Sequence, residues 1–314
     1  MTDTYSYLGP AGTFTEAALR QVEAAQGQDW RAVSNIGEAL GDVVAGRSVA
    51  AVIAIENSID GGVSVAQDAL ATIPGLRIIG EYLVPISFVL VARPGTTLAD
   101  VTTIAAHPVA YAQCQGWLNA TLPAHHHLPA SSNVQAATQL LEVDEAGNPA
   151  SIADAAIAPP TIIDHYDLAV LAEGIIDNAA AVTRFALVTT STAIPASTGA
   201  DKTSLIAELP TDRAGSLVEM LEQFSTRGVN MSLLESRPIG DELGRHRFIV
   251  DVDGHINDER IADALQGVYR FTSKVVFLGS YPRADRQPVL FDERYSDAVY
   301  REARAWVAGL LGES

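Results

Sequence analysis

The stretch VAAVIAIENSIDGGV, residues 49–63, contains an apolar run that ends abruptly in polar residues. The run VAAVIAI does not alternate with polar residues, which is typical of a strand buried on both faces of a sheet. Glu56, Asn57 and Ser58 follow it directly, and a glycine pair that ends at Gly62 comes next. Ligands of α/β proteins bind at the carboxyl ends of strands. The stretch therefore predicts a buried sheet with a binding loop at its edge, although Asn57 and Ser58 could equally cap the following helix.

Strand-like and helix-like segments alternate through the first two-thirds of the chain. Besides the run just described, we expect strands at residues 5–8, 83–92, 103–106, 155–158 and 184–189, with helical patterns between most of them, one of them at residues 15–25. Strands that alternate with helices indicate an α/β fold with a largely parallel core.

The last third of the chain has a different order of predicted strands and helices. The stretch IPASTGAD, residues 194–201, has the composition of a linker. After it, KTSLIAELP predicts a strand and AGSLVEMLEQFSTRG an amphipathic helix. NMSLLESRP and RHRFIVDVDG then predict two strands, NDERIADALQGVYRFTS a second helix, and KVVFLGSYP a closing strand. The order βαββαβ is that of a ferredoxin-like domain. We expect a short amphipathic helix in the tail.

Composition excludes several classes of protein. The net charge of −18 argues against a nucleic-acid partner. No apolar run approaches the ~20 residues of a membrane span, and the amino terminus lacks the pattern of a secretory signal. The single cysteine, Cys114, excludes an internal disulfide and a cysteine-based metal site, and it fits a reducing, cytoplasmic compartment.

An arginine lies directly before a buried strand in VTRFALV, residues 182–188. Arginine is rarely buried without a partner, and a fixed guanidinium beside a hydroxyl can hold a carboxylate through two hydrogen bonds. Arg184 with Thr183 is therefore a candidate anion site. The competing interpretation is a structural salt bridge from Arg184 to Asp177 or Glu56.

Three further loops follow predicted strands but indicate little by themselves. GPAGTFT (9–15) could bind an anion at a helix start, or it could be a tight turn capped by threonine. HPVAYAQC (107–114) and SSN (131–133) could line a site, or they could cap helices. The three histidines at 125–127 have no acidic or cysteine partner at ligand spacing, so we expect no metal there.

In combination, these motifs are specific. GPAGTFT, IENSIDGGV, HPVAYAQC and TRF, followed by a βαββαβ module with GSLV (215–218) and ESRP (235–238), closely resemble the prephenate dehydratase family. The resemblance covers residues 5–281. Three features depart from the family pattern: Ser216 where alanine is frequent, SSN where a Ser-Thr pair is frequent, and a polar loop at 141–151.

The resemblance implies a cofactor-free, metal-free lyase of phenylalanine biosynthesis that converts prephenate to phenylpyruvate, water and CO2. It further implies a two-lobed catalytic domain similar to periplasmic binding proteins and an ACT domain that binds L-phenylalanine between paired subunits of a homo-oligomer, either a dimer or a tetramer. The implied domains are residues 1–194 (catalytic; lobes at about 1–80 with 175–193, and 81–174), 195–202 (linker), 203–281 (ACT) and 282–314 (tail).

The resemblance also implies site residues. Thr183 would donate a hydrogen bond to the leaving hydroxyl, Arg184 would bind a substrate carboxylate, and Phe185 would form an apolar wall. The remaining implied substrate-binding residues are Thr13, Asn57, Ser58, Gly62, Gln113, Ser131 and Ser132. The implied phenylalanine-binding residues are Gly215, Ser216, Leu217, Asn230 and Ser236.

Two other functions remain open at this point. Arogenate dehydratases act on a substrate with an amine in place of the keto group, and an acidic contact for that ammonium would favour them. A binding-protein cleft joined to an amino-acid-binding module could also be a non-catalytic sensor.

Overall fold

The computed structural model describes residues 2–59, 61–210, 213–239 and 245–312. Residue contacts divide the chain into two compact units, Met1–Val63 with Tyr82–Phe185, and Ser64–Glu81 with Ala186–Ser314. The strands are β1 (Thr4–Leu8), β2 (Asp29–Val33), β3 (Ala50–Asn57), β4 (Gly61–Gly62), β5 (Arg77–Pro85), β6 (Val89–Ala92), β7 (Thr103–Ala106), β8 (His126–Pro129), β9 (Ala155–Ala158), β10 (Ala169–Glu173), β11 (Val182–Thr189), β12 (Asp201–Glu208), β13 (Met231–Pro238), β14 (His246–Asp253) and β15 (Lys274–Pro282).

The α-helices are α1 (Phe14–Leu19), α2 (Ile36–Val44), α3 (Ser64–Thr72), α4 (Pro108–Gln113), α5 (Gln115–Thr121), α6 (Asn133–Gln139), α7 (Ser216–Ser225), α8 (Glu259–Phe271) and α9 (Asp297–Leu311). Short 3₁₀ helices lie at Glu23–Ala25, Leu98–Asp100, Pro160–Asp164 and Glu293–Tyr295. Among the described residues, we find no helix with the length and apolar character needed to cross a membrane.

The first sheet contains β3, the strand predicted from the apolar run at residues 49–55. Its order is β2-β1-β3-β11-β5, with β4 paired to β3. β1 runs parallel to both β2 and β3. The residues of β3 from Ala50 to Ile53 are fully buried, as the continuous apolar run predicts. β5 extends to Pro85, past the predicted lobe boundary near residue 80.

The second sheet has the order β10-β6-β9-β7-β8. β7 is parallel to β8 and β9, whereas β6 is antiparallel to β9 and β10. The prediction of a largely parallel core is therefore correct here except for β6. Both faces of β6 are buried, with Leu90 in the cluster that includes α5 and Val91 in the cluster that includes α6. An apolar run indicates such burial but not the direction of the strand, because burial is independent of direction.

The βαββαβ prediction for the last third is confirmed. β12, β13, β14 and β15 form one antiparallel sheet with the order β13-β14-β12-β15. Helices α7 and α8 cover one face of it, where Met220, Phe224 and Ile261 are buried against Leu205 and Val250. Side chains alternate along β12 and β14, and the apolar residues that these strands contribute to this face come from every second position.

Two helix predictions need correction. The helix expected at residues 15–25 ends at Leu19 and is followed by a separate 3₁₀ turn at Glu23–Ala25. The tail helix α9 has 15 residues and is longer than expected. Both differences concern helix ends, which local sequence determines least well.

Candidate active site

The carboxyl end of β3 turns back on itself through the glycine pair. Glu56 lies opposite Gly62, and Asn57 lies opposite Gly61, in the short antiparallel pairing of β3 with β4. Gly61 has a φ angle of +80°, which glycine adopts without strain. The Asn57 side-chain oxygen accepts a hydrogen bond from the Ile59 amide at 2.8 Å. The loop predicted from the sequence is thus a compact turn that fixes Asn57.

Hydrogen bonds join this turn to the beginning of β11. The Ser58 amide donates to the Val182 carbonyl at 2.9 Å, and the Ser58 Oγ accepts from the Val182 amide at 3.0 Å. The Asn57 Nδ2 donates to the Thr183 Oγ1 at 3.1 Å. Asn57 is therefore bonded to Thr183 and Ser58 to the neighbouring Val182, so two motifs that are separate in the sequence are joined directly.

Arg184 is only 6% exposed and is paired with a carboxylate. Its Nη1 lies 3.1 Å from the Glu56 Oε2. Glu56 is one of the two carboxylates that the sequence analysis gives as possible salt-bridge partners of Arg184. The other, Asp177, accepts hydrogen bonds from the Gly116 and Trp117 amides at 2.8 and 3.0 Å and so caps α5.

The two bonded pairs, Asn57–Thr183 and Glu56–Arg184, lie on opposite sides of the sheet. Successive side chains of a strand point to opposite faces, so Thr183 and Arg184 leave β11 on different sides. The Asn57–Thr183 bond and the Glu56–Arg184 bond follow the same alternation on β3. A single substrate can contact both side chains only near the end of the strands, where the sheet no longer separates them.

Phe185 lies in the core at 2% exposure. It shares the side of Thr183 by alternation. Its packing fixes the strand behind Thr183, and its predicted role as an apolar wall of the site stays a prediction.

Hydrogen bonds to the backbone amide and the backbone carbonyl of Gly12 hold the loop GPAGTFT in place. The Gly12 amide donates to the Glu16 Oε2 at 2.5 Å, and the Gly12 carbonyl accepts from the Thr161 hydroxyl at 2.9 Å. Gly12 has a φ of +90°, and a Cβ there would lie 3.1 Å from the Ile162 side chain. Thr13 caps α1 by accepting from the Glu16 amide at 3.3 Å and donates to the Leu8 carbonyl at 3.1 Å.

Glu16 is a residue that the sequence analysis missed. It is 3% exposed and also accepts hydrogen bonds from Arg20 at 2.8 Å and from His165 at 2.9 Å. Burial by itself raises the pKa of its carboxyl, but the Gly12 amide, Arg20 and His165 together hold that pKa below its ordinary value. The capping-box spacing from Thr13 to Glu16 is the signal that could have identified it.

The other predicted substrate-binding residues are held by local hydrogen bonds. Ser132 caps α6 by accepting from the Gln135 amide at 3.0 Å, and Ser131 donates to the Gln135 side chain. Gln113 ends α4, and its carbonyl accepts from the Asp177 amide at 2.8 Å. The helix-capping interpretation of the SSN motif is correct for Ser132, and a substrate contact from any of these residues stays a prediction.

The histidine run has a structural explanation. The Tyr111 ring stacks on the His127 ring with centroids 3.9 Å apart, and its hydroxyl lies 2.8 Å from the His125 Nε2. Within the part of the chain that the structure describes, no group of three or more His, Cys, Asp or Glu side chains could hold a metal ion. Burial, with a smaller contribution from Asp177, raises the pKa of the Cys114 thiol to about 12. Cys114 is therefore protonated at neutral pH and is not a nucleophile.

The predicted effector residues lie at the start of α7 and on or next to β13. Gly215 has a φ of +91° and precedes α7, which begins at Ser216, while Leu217 packs against the core of the domain. The Asn230 Nδ2 donates to the Asp253 Oδ2 at 2.6 Å, and Ser236 lies on β13 opposite Phe248. A phenylalanine contact from any of them stays a prediction.

Comparison with known proteins places the chain in a family. A family model described as prephenate dehydratase matches residues 5–193, and a model of the ACT domain matches residues 203–268. The prephenate dehydratase of Mycobacterium bovis (strain BCG / Pasteur 1173P2) is 42% identical over 299 residues, which cover 92% of this chain and 90% of the relative.

Solved structures agree with this assignment. A prephenate dehydratase of Arthrobacter aurescens, solved in complex with L-Phe, is 49% identical with a TM-score of 0.92 and covers 98% of this chain and 99% of its own. A structure described as GqqA, a novel type of quorum quenching acylase, is 28% identical with a TM-score of 0.79 and covers 90% of this chain and 100% of its own. The chain belongs to the prephenate dehydratase family and carries a carboxy-terminal ACT domain.

Proposed function

We propose that the protein catalyses the decarboxylating dehydration of prephenate. The substrate loses its ring carboxylate as CO2, the bonding electrons form the aromatic ring, and the ring hydroxyl leaves with one proton as water. Phenylpyruvate remains. The observation that carries the proposal is the presence of two bonded pairs, Asn57–Thr183 and Glu56–Arg184, where β3 ends and β11 begins, in a chain that belongs to this family.

Thr183 would donate a hydrogen bond to the leaving hydroxyl. Its Oγ1 accepts a hydrogen bond from the Asn57 Nδ2, so the hydroxyl proton is directed away from Asn57. A threonine is too weak an acid for full proton transfer at neutral pH, so a strong hydrogen bond to the developing hydroxide is the expected contribution. Positioning and fixed dipoles would then supply most of the acceleration.

Arg184 would bind a substrate carboxylate beside its ion pair with Glu56. The partner Glu56 fixes the guanidinium and compensates part of its charge. This arrangement suits a carboxylate that must be held but not bound too tightly, because one of the two carboxylates of prephenate has to depart as neutral CO2.

The pairing of Glu56 also bears on the choice between prephenate and arogenate. Arogenate would present an ammonium group where prephenate has a keto oxygen, and that ammonium needs an uncompensated acidic partner. Among the described residues of this loop, Glu56 carries the carboxylate, and Arg184 already compensates its charge. We therefore place prephenate ahead of arogenate.

We further propose that L-phenylalanine regulates the enzyme by binding at Gly215, Ser216, Leu217, Asn230 and Ser236. The ACT domain and the L-Phe complex of the relative from Arthrobacter aurescens support this regulation. By the same likeness we propose a homo-oligomer, either a dimer or a tetramer, that works in the cytoplasm.

The test is incubation of the purified protein with prephenate while the ultraviolet absorbance of phenylpyruvate is followed. We expect steady formation of phenylpyruvate from prephenate and no formation of phenylalanine from arogenate. Tight binding of prephenate without product would favour a non-catalytic sensor. Hydrolysis of an acyl amide without action on prephenate would show that this fold carries the other activity known among the solved relatives, since a fold alone does not determine the reaction.

A further inference from the structure

The segment ESRP on β13 presents its side chains to two sides of the ACT sheet. Ser236 lies opposite Phe248, which packs in the core under α7 and α8. Glu235 lies opposite Ile249, and Arg237 lies opposite Arg247. Because side chains alternate along a strand, Glu235 and Arg237 point to the sheet face that α7 and α8 leave uncovered.

On that face, both side chains contact helix α3. The Gln67 Nε2 donates a hydrogen bond to the Glu235 carboxylate, and Gln67 is only 3% exposed. The Arg237 Nη2 lies 2.8 Å from the Asp68 Oδ2. Two successive residues of α3 are thus bonded to two residues of one ACT strand, all within a single compact unit of the chain.

The segment that follows α3 is bound to the same sheet. The Lys202 Nζ lies 3.0 Å from the Glu81 Oε2, and the Ala284 amide donates to the Glu81 Oε1 at 2.9 Å. The Gly279 backbone approaches so closely that a Cβ there would lie 2.1 Å from the Ile78 carbonyl oxygen. Residues 64–81 therefore follow the ACT sheet as one body, because several independent contacts attach them to it.

Helix α3 is also joined to the candidate active site through the chain itself. It begins at Ser64, two residues after Gly62, and Gly62 pairs with Glu56, the partner of Arg184. Only Val63 separates the helix from the turn that carries Asn57 and Glu56, so the chain connects α3 directly to that turn.

We propose that β13 transmits the effector signal. Bound phenylalanine, which Ser236 faces, displaces β13, and the pairs Glu235–Gln67 and Arg237–Asp68 pass this displacement of β13 to α3. This proposal rests on the proposed function. A ligand shifts an equilibrium only through different affinities for two states, so the contacts of β13 with α3 must differ in strength between the active and the inhibited enzyme. The mechanism requires no contact between phenylalanine and any substrate-binding residue.

The experiment measures two quantities on the full chain, the rate of prephenate conversion without and with saturating L-phenylalanine, and the direct binding of L-phenylalanine by calorimetry. The variants are Asp68→Asn, which removes the ion pair at a partly exposed position, and Asp68→Asn with Gln67→Leu, which removes both contacts. We expect basal activity and phenylalanine binding to persist, while the inhibition ratio falls by about threefold or more.

Two controls make the test specific. Asp263→Asn removes a carboxylate that pairs with Arg227 at 2.5 Å, between α7 and α8 on the other side of the same domain, and should leave inhibition unchanged. The exchange Asp68→Arg with Arg237→Asp restores the ion pair in reverse and should restore inhibition. If the double variant does not fold, Asp68→Asn and the exchange still decide the matter.

The outcomes separate this proposal from the proposed function. If the wild-type protein does not convert prephenate, the proposed function fails. If the wild type is inhibited by phenylalanine and the Asp68 variants are inhibited equally, the role of β13 as transmitter is wrong. Loss of phenylalanine binding in those variants would also overturn it, since these residues would then belong to the effector site.

Discussion

We propose that Arg184 has a structural and a chemical role together. Its pairing with Glu56 satisfies the expectation that a buried guanidinium needs a carboxylate. A guanidinium is a planar group with five donors, so an ion pair with Glu56 does not by itself preclude a hydrogen bond to a substrate carboxylate. The salt bridge and the substrate site, which compete as explanations at the level of sequence, are compatible once the geometry is known.

Replacement of Arg184 by lysine tests this double role. Lysine keeps the charge for Glu56 but loses the planar fork, so we expect KM for prephenate to rise about tenfold or more, because one charge-assisted hydrogen bond contributes roughly 1.5–3 kcal/mol. The turnover number should change less. Steady-state kinetics measure both quantities, and thermal unfolding of Arg184→Lys and Glu56→Gln serves as the control for folding. An unchanged KM in a folded Arg184→Lys variant would remove Arg184 from the substrate site.

At the scale of elements, α1 and the 3₁₀ turn at Pro160–Asp164 are joined through Glu16. Its carboxylate binds the Gly12 amide in its own loop and His165 in the other segment, while Arg20 pairs with both Glu16 and Asp164. These bonds connect the segment after β1 with the segment after β9. Glu16 therefore stabilises the position of the glycine loop relative to the second sheet.

The lowered pKa of Glu16 gives this junction a pH dependence of known sign. A carboxyl whose pKa is lower in the folded than in the unfolded state contributes stability above the unfolded value, near 4.5, and loses it as the pH falls through the folded value. We expect Glu16→Gln to be less stable than the wild type at neutral pH. We also expect the difference to shrink below about pH 4.5. Denaturant unfolding at several pH values measures it, with Glu23→Gln as a control at the nearby 3₁₀ turn. A difference that does not vary with pH would contradict the ionised state of Glu16.

Local sequence patterns predicted the strands and helices better than they predicted which distant side chains bond to each other. The βαββαβ order follows from short-range periodicities of the kind that β13 and α8 display, and these are readable within ten to twenty residues. The bond between Asn57 and Thr183 joins residues 126 positions apart, and its existence depends on β3 and β11 being neighbours. No local pattern contains that pairing. The separation of Thr183 and Arg184 onto two sides of β11 was available from alternation alone.

At the scale of the whole molecule, the two activities assigned to the chain lie on separate structural elements. The candidate active site lies at the ends of β3 and β11, and the candidate effector residues lie on β13 and at the start of α7. The unit that contains the ACT domain also contains α3 and the first residues of β5. The division by contacts therefore does not coincide with the division by family models, which assigns residues 5–193 to catalysis.

Effector binding should stabilise the folded chain. A ligand that binds only the folded state at about a hundred times its Kd contributes about 2.7 kcal/mol, so L-phenylalanine should raise the thermal midpoint in a concentration-dependent way. Differential scanning calorimetry measures the shift, and D-phenylalanine, with the same composition and the opposite chirality, should produce a smaller one. An unchanged midpoint at millimolar L-phenylalanine would contradict the effector site at Gly215 and Ser236.

We propose that Thr183, oriented by Asn57, assists the departure of the ring hydroxyl of prephenate. The most direct measurement is the simultaneous yield of phenylpyruvate and CO2 from prephenate with the wild-type protein and with Thr183→Ala. We expect equal amounts of both products from the wild type, and a turnover number lower by about 10²–10³-fold in Thr183→Ala with KM little changed, because one donor to the leaving group is lost. Equal turnover by the two proteins would contradict this role of Thr183. Phenylpyruvate without a matching amount of CO2 would contradict the proposed reaction.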